Sequence, residues 1–266
     1  MARRDATGRE ALYRFLALLV GLLLLIWLWQ RLSSSLSPLV LPGPLTVWRS
    51  FLRLWQEGEI LRQLGISLRR AVVGLSLAYG LALFLGILMH RSRLCYYLLQ
   101  PWFDAVQMVP AVVWLIFAVL WFGIAREKTP IFVVFIVCLP VVQAQVREGL
   151  QAVPGELLDL AALEPLGFFG YARHVLLPAL RPSLLSSATL GFSFAWRSVV
   201  FAEFVGSNSG LGYQLNKSYY NLATDEVFAW TAVLVLLMWL WQEVVVAGWR
   251  RKGHKAAGSR PEAVQG

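Results

Sequence analysis

Six runs of about twenty mostly apolar residues dominate the chain, and runs of that length restrict its fold more than any other feature does. A helix rises about 1.5 Å per residue, so roughly 20 residues cross the ~30 Å hydrocarbon core of a bilayer. The runs are Phe15 to Leu32, Ala71 to His90, Leu98 to Gly123, Pro130 to Val146, Ser183 to Val205 and Val227 to Trp249. In lipid every backbone N–H and C=O must be satisfied internally, which turns such runs into helices. The expected fold is all-α: a polytopic membrane protein of about six transmembrane helices. With 58% hydrophobic and only 15% charged residues, the chain lacks the surface charge that a soluble core of this size needs.

The first run follows Arg3, Arg4, Arg9 and Arg14, as a secretory signal would. Its apolar stretch is too long for a typical signal core and no A-x-A site follows it, so it reads as a retained anchor. Pro101, Pro110 and Pro140 lie within or beside spans. Each frees a carbonyl that a neighbouring helix must satisfy, which predicts kinked helices in a bundle. Gly74, Ala78, Gly80, Ala82 and Gly86 offer close-approach packing positions. Trp196, Trp230, Trp239, Trp241 and Trp249 read as anchors at headgroup depth.

The formal net charge of +9 collects at the chain ends and beside apolar runs, the pattern of topology signals rather than of nucleic-acid binding. Arg250, Arg251, Lys252 and Lys255 follow the last span, and an even number of spans returns both termini to one side. The positive-inside rule makes that side cytoplasmic. The chain then divides into a cytoplasmic tail (1–14), a membrane domain (15–249) and a basic cytoplasmic tail (250–266). Arg49, Arg53, Arg62, Arg69 and Arg70 conflict with this, falling in the outer loop before the second span. Val47, Phe51, Leu54 and Trp55 share a helical spacing there, so the loop reads as partly helical and interfacial.

Reactive groups are sparse. Cys95 and Cys138 have no second cysteine nearby and no histidine placed to complete a metal site. His90, His174 and His254 fall at or beyond span ends, in no H-E-x-x-H or comparable catalytic pattern. The chain has no G-x-x-x-x-G-K-[ST] loop to cradle ATP, and GLG at Gly210 to Gly212 opens no strand–helix unit.

The longest inner loop, 147–182, has an internal order. Pro154 and Gly155 break the fourth span, and Glu156 and Asp159 place acid in the first turn of a new helix, where its dipole favours them. Leu157, Leu160, Ala161 and Glu164 share one face, Pro165 stops the hydrogen-bond ladder and Gly167 allows a turn. A second run, Phe168 to Leu177, ends at Pro178. Helices this short need a surface to bury against, and spacing alone allows either the protein's own inner face or a partner.

Three ordered stretches carry a resemblance: DLAALEPLGFFGYARHVLLP from Asp159 to Pro178, LPGP from Leu41 to Pro44, and FAEFVGSNSGLGYQL from Phe201 to Leu215. From about Leu41 to Trp249 the chain resembles the inner-membrane permease subunit of binding-protein-dependent ABC importers, in the branch that carries alkanesulfonates, taurine and nitrate. The EAA signature of that family's coupling loop is matched through Asp159, Ala161, Pro165, Leu176, Leu177 and Pro178. Aspartate stands in place of its glutamate and Pro165 in place of its glycine.

The resemblance implies a multi-pass subunit of a bacterial-type inner membrane, moving a small anionic or zwitterionic solute by alternating access. Its implied partners are ABC ATPase subunits, a second permease chain in a homodimer or heterodimer, and an extracytoplasmic solute-binding protein. It implies no cofactor on this chain; ATP and Mg would sit on the ATPase. The implied coupling residues are Leu157, Asp159, Leu160, Ala161, Leu163, Pro165, Gly167, Leu177 and Pro178.

Two charges stand inside the fifth span. A charge at mid-bilayer costs about 2.5 to 3.5 kcal/mol on insertion scales, so Arg197 and Glu203 should face a cavity or a partner. Six residues apart on a helix is roughly 120° around it and about 9 Å along it, a poor geometry for pairing with each other. Arg197 is a candidate for the translocation path, with a snorkelling or subunit-contact arginine as the alternative. Glu203 matches a glutamate of the family pattern and reads as a structural or gating residue at the outer mouth, with Gly210 and Gly212 in the outer loop after it. Lys217, Asp225 and Glu226 read as a solvated outer segment or as a docking point for the binding protein. The competing class is an ion-gradient-driven secondary transporter using Arg197 and Glu203, which would predict internal repeats with paired broken helices.

Overall fold

A computed structural model describes residues 2–153, 170, 173 and 177–243, and the regular structure among them is helical, with no strand. The helices are α1 (Ala2–Ser35), α2 (Pro44–Gln56), α3 (Glu59–Arg91), α4 (Arg93–Met108), α5 (Ala111–Phe122), α6 (Lys128–Gln151), α7 (Leu177–Gly206), α8 (Leu211–Tyr220) and α9 (Thr224–Trp241). The chain divides into two compact units: Met1–Ile60 with Leu215–Val233, and Leu61–Gln214 with Leu234–Gly266.

The first unit is organised by the turn at Leu41 to Pro44. Trp29 Nε1 donates to the Pro42 carbonyl at 3.0 Å and Ser33 Oγ to that of Leu41 at 3.0 Å, so α1 holds the turn. Pro44 starts α2, where a missing N–H leaves no intrahelical bond unmade. Val47, Ser50 and Leu54 form the buried face of α2. The start of α9 closes this unit. Thr224 Oγ1 donates to the Leu39 carbonyl at 2.8 Å, Ser50 donates to Asp225, Arg53 pairs with Glu226 at 2.5 Å, and Phe228 stacks on Trp29 at 5.9 Å.

In the second unit α3, α6 and α7 pack through small residues. A Cβ on Gly74 would stand 2.7 Å from Val134, and one on Gly86 would stand 2.6 Å from Val146, so α3 and α6 meet at those glycines. Gly149 brings α6 equally close to Leu180 and Ser183 of α7, and Gly191 brings α7 against Leu75 and Tyr79 of α3. Ala78 and Ala82 are fully buried, whereas Gly80, expected as a packing position, has nothing within 4 Å. Pro140 lies inside α6 and Pro101 inside α4 without ending either helix.

Several expected boundaries change. Among the described residues four helices are long and apolar enough to cross a membrane, Leu16–Ser35, Glu59–Arg91, Lys128–Gln151 and Thr224–Trp241, and the bent pair of α4 and α5 makes up to five. The expected third span, Leu98 to Gly123, is not one rod: α4 and α5 meet at 98°. Proline disfavours helical geometry in the residue before it, and Val109, just ahead of Pro110, is extended at φ −76°, ψ 123°. The fifth expected span, Ser183 to Val205, lies within the single helix α7. Arg62, Arg69 and Arg70, expected in a loop, lie in α3, which begins at Glu59. The loop 147–182 is trimmed at both ends by α6 and α7, and Pro178 sits in the first turn of α7 instead of ending a helix.

Candidate functional site

Most of the candidate coupling residues, Leu157, Asp159, Leu160, Ala161, Leu163, Pro165 and Gly167, lie outside the described residues. Leu177 begins α7 and is exposed. Arg197, midway along α7, is also exposed and makes no ion pair among the described residues.

Glu203 has a different setting. Its side chain is fully buried and pairs with Arg70 of α3, Nη1 to Oε1 at 2.9 Å. Ser67 Oγ donates to the other carboxylate oxygen at 2.6 Å, and the Gly212 N–H donates to that oxygen at 3.2 Å. The same two side chains hold the loop that follows α7. Arg70 Nη1 donates to the Ser207 hydroxyl at 3.1 Å and the Ser209 carbonyl at 2.7 Å, and Nη2 to Ser209 Oγ at 2.8 Å. The Leu211 N–H donates to Ser67 Oγ at 2.9 Å and the Gly210 N–H to Gln63 Oε1 at 2.8 Å. The buried ion pair, with Ser67 and Gln63 beside it on α3, therefore holds Ser207, Ser209, Gly210, Leu211 and Gly212 in place. Desolvating such a pair is expensive, and the dense hydrogen bonding offsets that cost.

Both glycines are required by this closure. Gly210 has φ +100°, a conformation L side chains rarely adopt, and a Cβ there would fall within the Glu203 carboxylate. Gly212 is the second residue of α8 instead of a loop residue, and a Cβ there would strike the Val200 carbonyl. Arg70 was hidden among the loop arginines in the sequence. The signal that could have found it is Gln63, Ser67 and Arg70 at i, i+4 and i+7, a polar stripe that continues into Gly74 and Ala78 on the same helical face.

Other expected positions also shift. Asp225 and Glu226 are engaged within the chain, by Ser50 and by Arg53 and Ser218, so they are not a free docking pair. Trp196 and Trp230 are buried at 2% and 1% exposure, which moves them from interface anchors to core. Trp239 is exposed, Trp241 stacks on Phe192 at 3.8 Å, and Trp249 lies outside the described residues. Among the described residues no group of three or more His, Cys, Asp or Glu side chains could hold a metal ion.

Residues 78–245 match the profile of a family described as binding-protein-dependent transport system inner membrane component. A putative aliphatic sulfonates transport permease protein of Bacillus subtilis (strain 168) is 32% identical over 214 residues, 79% of this chain and 77% of that one. The taurine transport system permease protein of Escherichia coli (strain K12) is 27% identical over 247 residues, 89% of each chain. Among solved structures, an inward-facing form of the MetNI methionine ABC transporter matches with a TM-score of 0.60 at 20% identity, over 72% of this chain and 95% of that one, a likeness of fold.

Proposed function

The chain belongs to the family of binding-protein-dependent transport system inner membrane components, a permease subunit and not an enzyme, and from that premise we propose that it carries a small sulfonate-like solute inward under the control of a separate ATPase. The observation that carries the reading is the family match over most of the helical domain, joined by relatives named for aliphatic sulfonates and taurine. The solute is a small anion or zwitterion, delivered by an extracytoplasmic binding protein. Two permease chains, alike or different, rock between inward-open and outward-open forms, and the ATPase holds the ATP and Mg. Both termini are cytoplasmic, in a bacterial-type inner membrane.

Force enters through the loop centred on Asp159, Ala161 and the leucines around them. The sequence there reads as a short amphipathic helix with acid in its first turn and a stop at Pro165, a form that suits a groove on the ATPase. Arg197 is the residue we assign to the solute path, because an exposed cation on a membrane helix needs an anion to face. Glu203 belongs to the outer end, since its carboxylate is fully buried and engaged by Arg70, Ser67 and Gly212.

The test is to tag the chain, extract it gently from its native membranes and identify what accompanies it. A P-loop ATPase should co-purify with the unaltered chain and be lost from Asp159→Lys. A folded, intact chain that brings no ATPase would defeat the importer reading.

A further inference from the structure

The last turns of α3 and α6 and the first turn of α4 border a half-open cavity of about 170 Å³. Liquid water takes about 30 Å³ per molecule, so this is room for roughly five or six waters or one small organic ion. Gln143, Arg147 and Gln151 line it from α6 at successive spacings of four, a single helical stripe. Met89 and His90 line it from α3 and Tyr96 from α4, and Gly86 lets α3 come close enough to close the wall.

Two observations indicate what this cavity would hold. Gln143 is 3% exposed, yet its Oε1 has no hydrogen-bond partner, and its Nε2 meets the weakly accepting Met89 sulfur at 3.4 Å. A buried carbonyl oxygen left unpaired is unfavourable, so a donor entering the cavity would relieve it. Among the described residues Arg147 makes no ion pair, and no aspartate or glutamate lines the cavity. The wall thus offers a guanidinium with its fork of donors, the Tyr96 hydroxyl, the His90 ring and the Gln151 amide, set near one buried acceptor. Water can satisfy the acceptor, and an anion would in addition give the half-buried guanidinium a counter-charge.

We propose that this cavity binds a small oxyanion carrying its own ammonium or hydroxyl donor, with Arg147 holding the anion and Gln143 Oε1 accepting from the donor. Arg197 is not part of its wall, and the site lies within one chain, so it stands whatever solute the path carries. The same chemistry occurs in a free aminosulfonate and in an ethanolamine phospholipid headgroup. The site is built for the pairing of groups, and the experiment separates the two sources.

The full chain, with whatever subunits accompany it, is reconstituted in nanodiscs of phosphatidylcholine alone or with added phosphatidylethanolamine. Binding of labelled taurine and of ethanesulfonate, which lacks the amine, is measured, and retained lipid is identified by native mass spectrometry. Arg147→Gln should weaken the bound species about tenfold or more. Gln143→Met, which keeps the side-chain length and removes the acceptor, should erase the preference for taurine over ethanesulfonate, or for phosphatidylethanolamine over phosphatidic acid. Taurine binding in phosphatidylcholine alone identifies a free solute, and a retained phosphatidylethanolamine identifies the lipid. Arg147→Lys, keeping the charge, should recover part of the binding and guards against a purely structural loss. If neither species binds, or if binding ignores both Arg147→Gln and Gln143→Met in chains of unchanged melting temperature, the proposal is wrong.

Discussion

Two ion pairs in this chain have the same chemistry and should have very different energetic weight. Arg53 and Glu226 are 53% and 27% exposed, and such pairs contribute about 0 to 1 kcal/mol. Arg70 and Glu203 are 2% and 0% exposed, and removing one member of a buried pair typically costs about 3 to 5 kcal/mol because it strands the other charge. Glu203→Gln should therefore lower the thermal unfolding midpoint in detergent substantially, while Glu226→Gln should barely move it. The double change of Arg70 and Glu203 to methionine should be milder than either single change, without full recovery, because Ser209 and Gly212 also lose partners. Equal midpoints for the two glutamine variants would refute this division. Gly210→Ala should match the damage of Glu203→Gln, since its Cβ would occupy the carboxylate's place. At this scale the sequence was half legible. Glu203 stood out as a charge in an apolar run, but Arg70 read as one of five outer-loop arginines at odds with the topology rule, because counting basic residues cannot distinguish an arginine in a loop from one buried against a carboxylate 133 residues away.

For the helices, length and apolarity revealed most of what exists, because spanning a bilayer leaves few alternatives to a helix. What remained hidden was where a helix bends and which small residues touch a neighbour. Pro110 marked the position of the break between α4 and α5, yet proline only removes one hydrogen bond and constrains the residue before it; the 98° angle follows from packing that no local pattern encodes. The glycines of α3 make the same point. Gly74, Gly80 and Gly86 look equivalent in sequence, but only the first and last meet α6. Gly74→Leu and Gly86→Leu should force α3 from α6 and lower the melting midpoint by several degrees or abolish folding, whereas Gly80→Leu should be tolerated. Thermal scans of the three variants decide it, and a Gly80→Leu chain as impaired as the others would show that the stripe packs as a whole.

Over the whole molecule, the resemblance carried by three ordered stretches identified the family, while the loop that would join this subunit to its ATPase lies outside the described residues and rests on sequence alone. The first compact unit could not be foreseen from spacing, since it unites segments from opposite ends of the chain: Ser50 meets Asp225 across 175 positions and Thr224 meets Leu39 across 185. Replacing Thr224, Asp225 and Glu226 by valine, asparagine and glutamine should expose α2 to trypsin at Arg49 and Arg53 in purified protein, leaving cleavage within 61–214 unchanged. Protection equal to that of the unaltered chain would mean that apolar packing alone holds this unit. The separation of its parts also has a consequence during synthesis. At about 5 to 20 residues per second, roughly 10 to 40 seconds pass between the emergence of Leu39 and that of Thr224 from the ribosome. Throughout that interval α1 and α2 lack the contacts from the start of α9 that close this unit, so their arrangement during synthesis rests on the bonds around the Leu41 to Pro44 turn alone.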